Sequence, residues 1–155
     1  MADSPAPTVV VAVDFADPTD RLVTEGLTIS TATGGDLVLV HAAAEEPAFV
    51  GYDTDDFERH TREARADELT DEHRALRELA ARTEALAPGV SVRSLLAMGP
   101  TAETLLRVAG DVGAGHLVIG SHGRGRLHHL LVGSVAEELL RRTTIALVVV
   151  PVRSA

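Results

Sequence analysis

The chain of 155 residues contains no cysteine and no lysine. The first absence rules out disulfides and thiolate metal sites. The second rules out any mechanism that needs a lysine, the phosphate-gripping lysine of the P-loop among them. All 14 basic residues are arginine, set against 23 acidic ones, for a formal net charge of −9. That balance argues against general nucleic-acid binding. With the missing lysine, it is the composition of a salt-adapted or GC-rich source. No apolar run reaches the ~20 residues that a bilayer-spanning helix needs. Met1-Ala2-Asp3-Ser4-Pro5 carries neither the basic nor the apolar part of a secretory signal. Together these absences predict a cytoplasmic chain with no membrane partner and no nucleic-acid partner. The length and the 45% apolar content fit one domain over 1–155 with a hydrophobic core, its first seven and last three residues loose.

What the chain does contain is a regular alternation. Val9 to Val13 is a β-branched run ending at Asp14 and reads as a first strand. Asp17-Pro18-Thr19-Asp20 has turn and N-cap chemistry, and a helical face with Leu22, Val23, Leu27 and Ile29 runs up to a C-cap at Gly34-Gly35. Leu37 to Val40 is a second strand, followed by an irregular stretch from His41 to Gly51. A charged helix is predicted over 53–87, with Leu69, His73, Leu76, Leu79, Ala80 and Leu86 on its buried side. The acids and arginines of Arg59 to Arg82 form its solvated face. Val90 to Leu96 is a third strand, Thr101 to Val112 a helix, and Leu117 to Ile119 a fourth strand. Val135 to Arg142 is the last helix and Ile145 to Val150 the fifth strand. Continuous apolar strands alternating with helices imply a parallel sheet covered on both faces, doubly wound by right-handed crossovers.

In such folds ligands bind beyond the carboxyl ends of the strands. Four loops open there: after Asp14, after His41-Ala42, after Met98-Gly99 and after Gly120. The last is the most informative. Gly120-Ser121-His122-Gly123 leaves the fourth strand, and Gly133-Ser134 enters the last helix. Glycines let a backbone approach an anion, helix-start N–H groups point at it, and Ser134 stands where an N-cap belongs. The dinucleotide fingerprint fails, because Asp14-Phe15-Ala16-Asp17 holds no glycine after the first strand. A phospho-accepting receiver domain also fails, for Met98-Gly99 and Pro151 stand where it needs an aspartate and a lysine.

The spacing G-x2-G-x9-G-S, made by Gly120, Gly123, Gly133 and Ser134, resembles that of nucleotide-binding members of the universal stress protein family. Val13-Asp14-Phe15 closing the first strand is similar to that family too. So are Gly99-Pro100-Thr101-Ala102-Glu103, with Thr101 where proline is usual, and the apolar final strand. The resemblance implies a three-layer, five-stranded parallel α/β sheet of order 3-2-1-4-5, Rossmann-like and akin to adenine nucleotide hydrolases. It implies an ATP site with Mg²⁺ or Mn²⁺ carried by the phosphates. Ala12, Val13 and Asp14 would line the adenine and ribose side, with Ile119 at the end of the fourth strand. Ala42 would offer backbone groups to the adenine, and Gly99 would lie near the ribose. Gly120 and Gly123 would wrap the phosphates, with N–H groups from Ser121, His122, Gly123 and Arg124 as donors. Ser134 and Val135 would hold phosphate oxygens, and Arg124 and Arg126 would add charge. Ala16 stands where many members have serine, so weaker binding is expected.

Simpler roles stand beside these. Asp14 could cap the first helix, His41 could be a core or pocket-wall residue, and His122, His128 and His129 lack metal-ligand spacing. No nucleophile–base pair is evident. The expected function is a nucleotide-dependent signalling or stress-response module. The alternatives are a homodimeric scaffold that does not use nucleotide, or a slow ATP hydrolase or autophosphorylating protein. The apolar last strand would be an exposed edge in a monomer, and the resemblance implies a homodimer through Ile145 to Val152.

Overall fold

In the computed structural model, residues 5–15, 19–43, 55–121 and 132–151 are described, with 55–63 as backbone only. Strands and helices alternate: β1 Thr8–Ala12, α1 Thr19–Thr33, β2 Leu37–Ala43, α2 Asp55–Leu86, β3 Val92–Met98, α3 Thr101–Asp111, β4 Ala114–Gly120, α4 Ser134–Arg142 and β5 Ala146–Val150. The strands form one parallel sheet in the order β3-β2-β1-β4-β5. This is the expected doubly wound α/β architecture.

β1 runs through the middle. Val9, Val10 and Val11 are all 0% exposed, because alternate side chains of a central strand enter opposite layers. Val9, Val11, Leu37 and Leu39 pack with Leu22, Val23, Leu76 and Leu79 of α1 and α2. Val10, Val38, Val40 and Leu117 pack with Leu105, Val108, Ala136 and Leu139 of α3 and α4. The contact between α1 and the sheet depends on Gly26, since a Cβ there would come within 2.4 Å of Val11 Cγ2. Gly34 ends α1 at φ +72°, with the N–H groups of Gly34 and Gly35 both donating to Ser30 C=O. The expected turn residues Asp17 and Pro18 lie outside the described residues.

Two sequence expectations are corrected. β2 does not stop at Val40 but continues to Ala43, because His41 to Ala43 pair with Leu96 to Met98 of β3. On α2, His73 is exposed and Leu86 is 79% exposed, so neither belongs to the buried side. The inward stripe runs through Arg65, Leu69, Glu72, Leu76, Leu79, Ala80 and Thr83, a spacing of three to four residues. Among the described residues no helix is long and apolar enough to cross a membrane.

Candidate functional site

A cleft of about 580 Å³ opens at the carboxyl ends of β1, β2 and β4, between α2 on one face of the sheet and α3 with α4 on the other. Of the residues expected at a site, Ala12, Val13, Asp14, Ala42, Ile119, Gly120, Ser121, Gly133, Ser134 and Val135 line it. Gly99 does not line the cleft; Thr101, two residues on, does. Gly99 shapes the turn before α3 instead: its φ is +131°, and a Cβ would meet Thr104 Oγ1 at 2.9 Å. His122, Gly123, Arg124 and Arg126 lie outside the described residues, as do Ala16, His128 and His129. Among the described residues no group of three or more His, Asp or Glu could hold a metal ion.

One end of the cleft is built from backbone. Ser121 is 6% exposed; its N–H donates to Val150 C=O at 2.9 Å, and its C=O accepts from Gly133 N–H at 2.7 Å. These bonds hold the exit from β4 against the entrance to α4. The N-cap of α4 is Gly133, with φ −73° and ψ 165°, and its C=O accepts from Glu137 N–H at 3.0 Å. Ser134 is therefore the first helical residue and not the cap, correcting the sequence expectation. Among the described residues no side-chain hydrogen bond to the cap of this helix is seen. The N–H groups of Ser134, Val135 and Ala136 have no partner within α4, because the first turn of a helix has no preceding carbonyls to meet. All three residues line the cleft, at the positive end of the helix dipole. Asp14 is likewise not the cap of α1, which begins five residues later at Thr19.

The other end is built from side chains. His41 is buried and donates from Nδ1 to Val13 C=O at 2.6 Å, which fixes the proton on that nitrogen, since a carbonyl only accepts. Its Nε2 lies 3.6 Å from Oε2 of Glu72 on α2. The Phe15 ring packs on the imidazole, with centroids 5.1 Å apart, from a backbone at φ +58° that turns the chain just after Asp14. Arg65 pairs with Glu68 at 2.7 Å, one turn before Glu72 on the same helix. His41, Arg65, Glu68 and Glu72 all line the cleft. Between the two ends lies the edge of β2. Val40 C=O accepts from Val13 N–H at 2.7 Å, and in a parallel ladder alternate residues face the same neighbour. The N–H and C=O of Ala42 therefore turn toward the β1 side, beyond the last β1–β2 pair at Ala12 and Val40.

The α2 residues were missed because Arg59 to Arg82 reads as a solvated face. A signal was present, however: Arg65 and Glu72 share the three-to-four spacing of Leu69, Leu76 and Leu79. A charge on an apolar stripe is a charge that meets something.

The chain is similar to known proteins over nearly its whole length. The universal stress protein family model matches residues 6–151. A segment of 62 residues is 31% identical to the universal stress protein MJ0577 of Methanocaldococcus jannaschii, spanning 40% of this chain and 38% of that relative. In three dimensions the structure of MJ0577 covers 98% of this chain and 100% of its own, at TM-score 0.75 and 19% identity. The universal stress protein UspA of Lactobacillus plantarum covers 96% of this chain and 99% of its own, at TM-score 0.78 and 17% identity. A universal stress protein in complex with cAMP covers 96% of this chain and 98% of its own, at TM-score 0.66 and 23% identity. At these identities the solved structures speak to fold; the family rests on the model that spans residues 6–151, and the chain belongs to the universal stress protein family.

Proposed function

We propose that the cleft binds an adenine nucleotide, ATP above all, and that the protein is a nucleotide-dependent signalling or stress-response module. The observation that carries this reading is the start of α4. Three N–H groups without helical partners line a cleft whose middle holds a carboxylate, Asp14. Donors at a helix start suit phosphate oxygens. A carboxylate suits the hydroxyls of a ribose. Adjacent strands are about 4.8 Å apart, and β4, β1 and β2 are consecutive neighbours in the sheet. Phosphates at β4 and α4, ribose at Asp14 and base over β2 thus follow the order of the strands.

In this arrangement Gly120, Ser121, Gly133, Ser134 and Val135 hold the phosphates. His122, Gly123, Arg124 and Arg126, from the same sequence pattern, complete the loop. Ala12, Val13 and Ala42 surround the base, Ile119 lines the cleft at the end of β4, and Gly99 shapes the turn beside the ribose. A Mg²⁺ or Mn²⁺ ion travels with the phosphates, which supply its oxygen ligands. The similar protein in complex with cAMP supports an adenine nucleotide as the ligand class. The module acts in the cytoplasm as a homodimer through Ile145 to Val152; of that segment Ile145 to Pro151 is described, and β5 pairs with β4 along one edge. Hydrolysis is not required by this function.

Calorimetric titration with ATP tests the reading, together with mass spectrometry of any nucleotide that co-purifies. Saturable one-to-one binding is expected; a flat titration from nucleotide-free protein contradicts it and favours the nucleotide-free scaffold. Light scattering at micromolar concentration tests the dimer, and a clean monomer mass counts against it.

A further inference from the structure

The side-chain end of the cleft holds an unmet acceptor. Oε2 of Glu72 is buried and has no hydrogen-bond partner among the described residues, and the side chain as a whole is 15% exposed. A buried carboxylate oxygen without a donor is costly, so its place needs an explanation. His41 does not supply one: its Nε2 stands 3.6 Å away, beyond hydrogen-bond distance. The Nδ1 proton is committed to Val13 C=O, so in the neutral ring Nε2 is a lone pair facing the cleft. Arg65, the described arginine lining the cleft, is engaged with Glu68. With the imidazole neutral, the cleft presents two adjacent acceptors, a carboxylate oxygen and an imidazole nitrogen, 3.6 Å apart.

That pair complements a group carrying two donors on one atom. An exocyclic –NH₂ fits; a carbonyl oxygen in the same place would face two lone pairs. The position agrees with the base end of the ligand. His41 is on β2, two strands and roughly 10 Å across the sheet from β4. We propose that Glu72, together with His41, reads the 6-amino group of the bound base and makes the cleft selective for 6-aminopurine over 6-oxopurine nucleotides.

The inference rests on the adenine-nucleotide reading and adds to it a residue on α2 that the glycine pattern does not contain. The selectivity comes from unpairing. A 6-oxo base in the same pose sets its own oxygen against a negative charge and offers its donor only at N1, away from position 6, so the wrong ligand is rejected more than the right one is gripped.

The test is titration of the full chain with ATP and with ITP, which differs at position 6 and in the N1 proton that follows from it. Glu72→Gln and Glu72→Ala are measured alongside, with thermal melting of each nucleotide-free variant as the check on folding. The wild type is expected to prefer ATP by at least about tenfold, the size of one buried acceptor left unpaired. Glu72→Gln can donate as well as accept, so it should bind ITP more tightly than the wild type does and bring the ratio near or below one. Glu72→Ala removes the grip and the rejection together, so it should level the ratio mainly by gaining ITP affinity, with a smaller loss of ATP affinity. ATP binding with an ATP-to-ITP ratio unchanged in both variants overturns the role of Glu72 and leaves the nucleotide reading standing. If the wild type binds neither nucleotide, that reading falls and this inference falls with it.

Discussion

The two ends of the cleft are made of different material. At the β4–α4 end the groups offered to a ligand are backbone N–H groups, fixed by Ser121 bonding to Val150 and Gly133. At the β2–α2 end they are the side chains of His41 and Glu72, which are 31 residues apart in sequence and meet at 3.6 Å. Backbone donors at a helix start recognise negative charge and little else. Side-chain acceptors in a partly buried wall discriminate between functional groups. In the proposed function, the first end supplies affinity for phosphate and the second supplies the choice of base.

The largest expected effect on stability is at the frame of the side-chain end. Leu76 lies one turn beyond Glu72 on α2 and is 0% exposed in the core. Leu76→Ala should cost about 3 kcal/mol and lower Tm by roughly 6–12 °C, measured by calorimetry. A loss under about 1 kcal/mol would mean that α2 is not anchored there and cannot hold Glu72 in place.

The contrast also explains what could be read from the sequence. The backbone end was legible because its parts are local: Gly120 and Ser121 leave a strand, Gly133 and Ser134 start a helix, and the spacing between them is a pattern. The doubly wound sheet was legible for a similar reason, since alternating apolar strands and helices leave few ways to wind, whereas its strand order followed from the family resemblance. Even so, Ser134 was misread as the cap. Which residue caps a helix depends on one pair of backbone angles, here at Gly133, and both residue types suit the position. The side-chain end was not legible. Glu72 and His41 become neighbours only once β2 has extended past Val40 and α2 has turned its inner stripe to the sheet. Read alone, Glu72 is one more acid in a charged helix.

The next prediction breaks the backbone end. Gly133→Val places a branched side chain where the ligand is expected to approach backbone. ATP affinity should fall about a hundredfold, the equivalent of one or two charge-assisted hydrogen bonds. Gly133 sits at φ −73°, which any residue adopts, but valine is a poorer N-cap than glycine, so Tm should fall by only a few degrees. Unchanged ATP affinity by calorimetry would remove Gly133 from the site.

A smaller effect is expected from His41→Ala. It removes the bond to Val13 C=O and leaves Glu72 facing an empty space, which should cost about 1–2 kcal/mol of stability in denaturant titration. A neutral result would show that the His41–Glu72 pair is incidental to the fold.

Ser134→Ala should give the smallest change. Loss of one hydroxyl contact should weaken ATP roughly fivefold. Stability should not move, because Ser134 does not cap α4. A loss of about 1 kcal/mol in stability, the usual size for a removed cap, would reverse that assignment.

The division of labour between the two ends is tested most directly by NMR titration of labelled protein, first with adenosine and then with ATP. The amides of Gly120, Gly133, Ser134 and Val135 should shift with ATP and stay in place with adenosine, while Ala42 and the His41 ring respond to both. Equal responses of the β4–α4 amides to adenosine and ATP, or no response of Ala42 and His41 to either, would contradict the account.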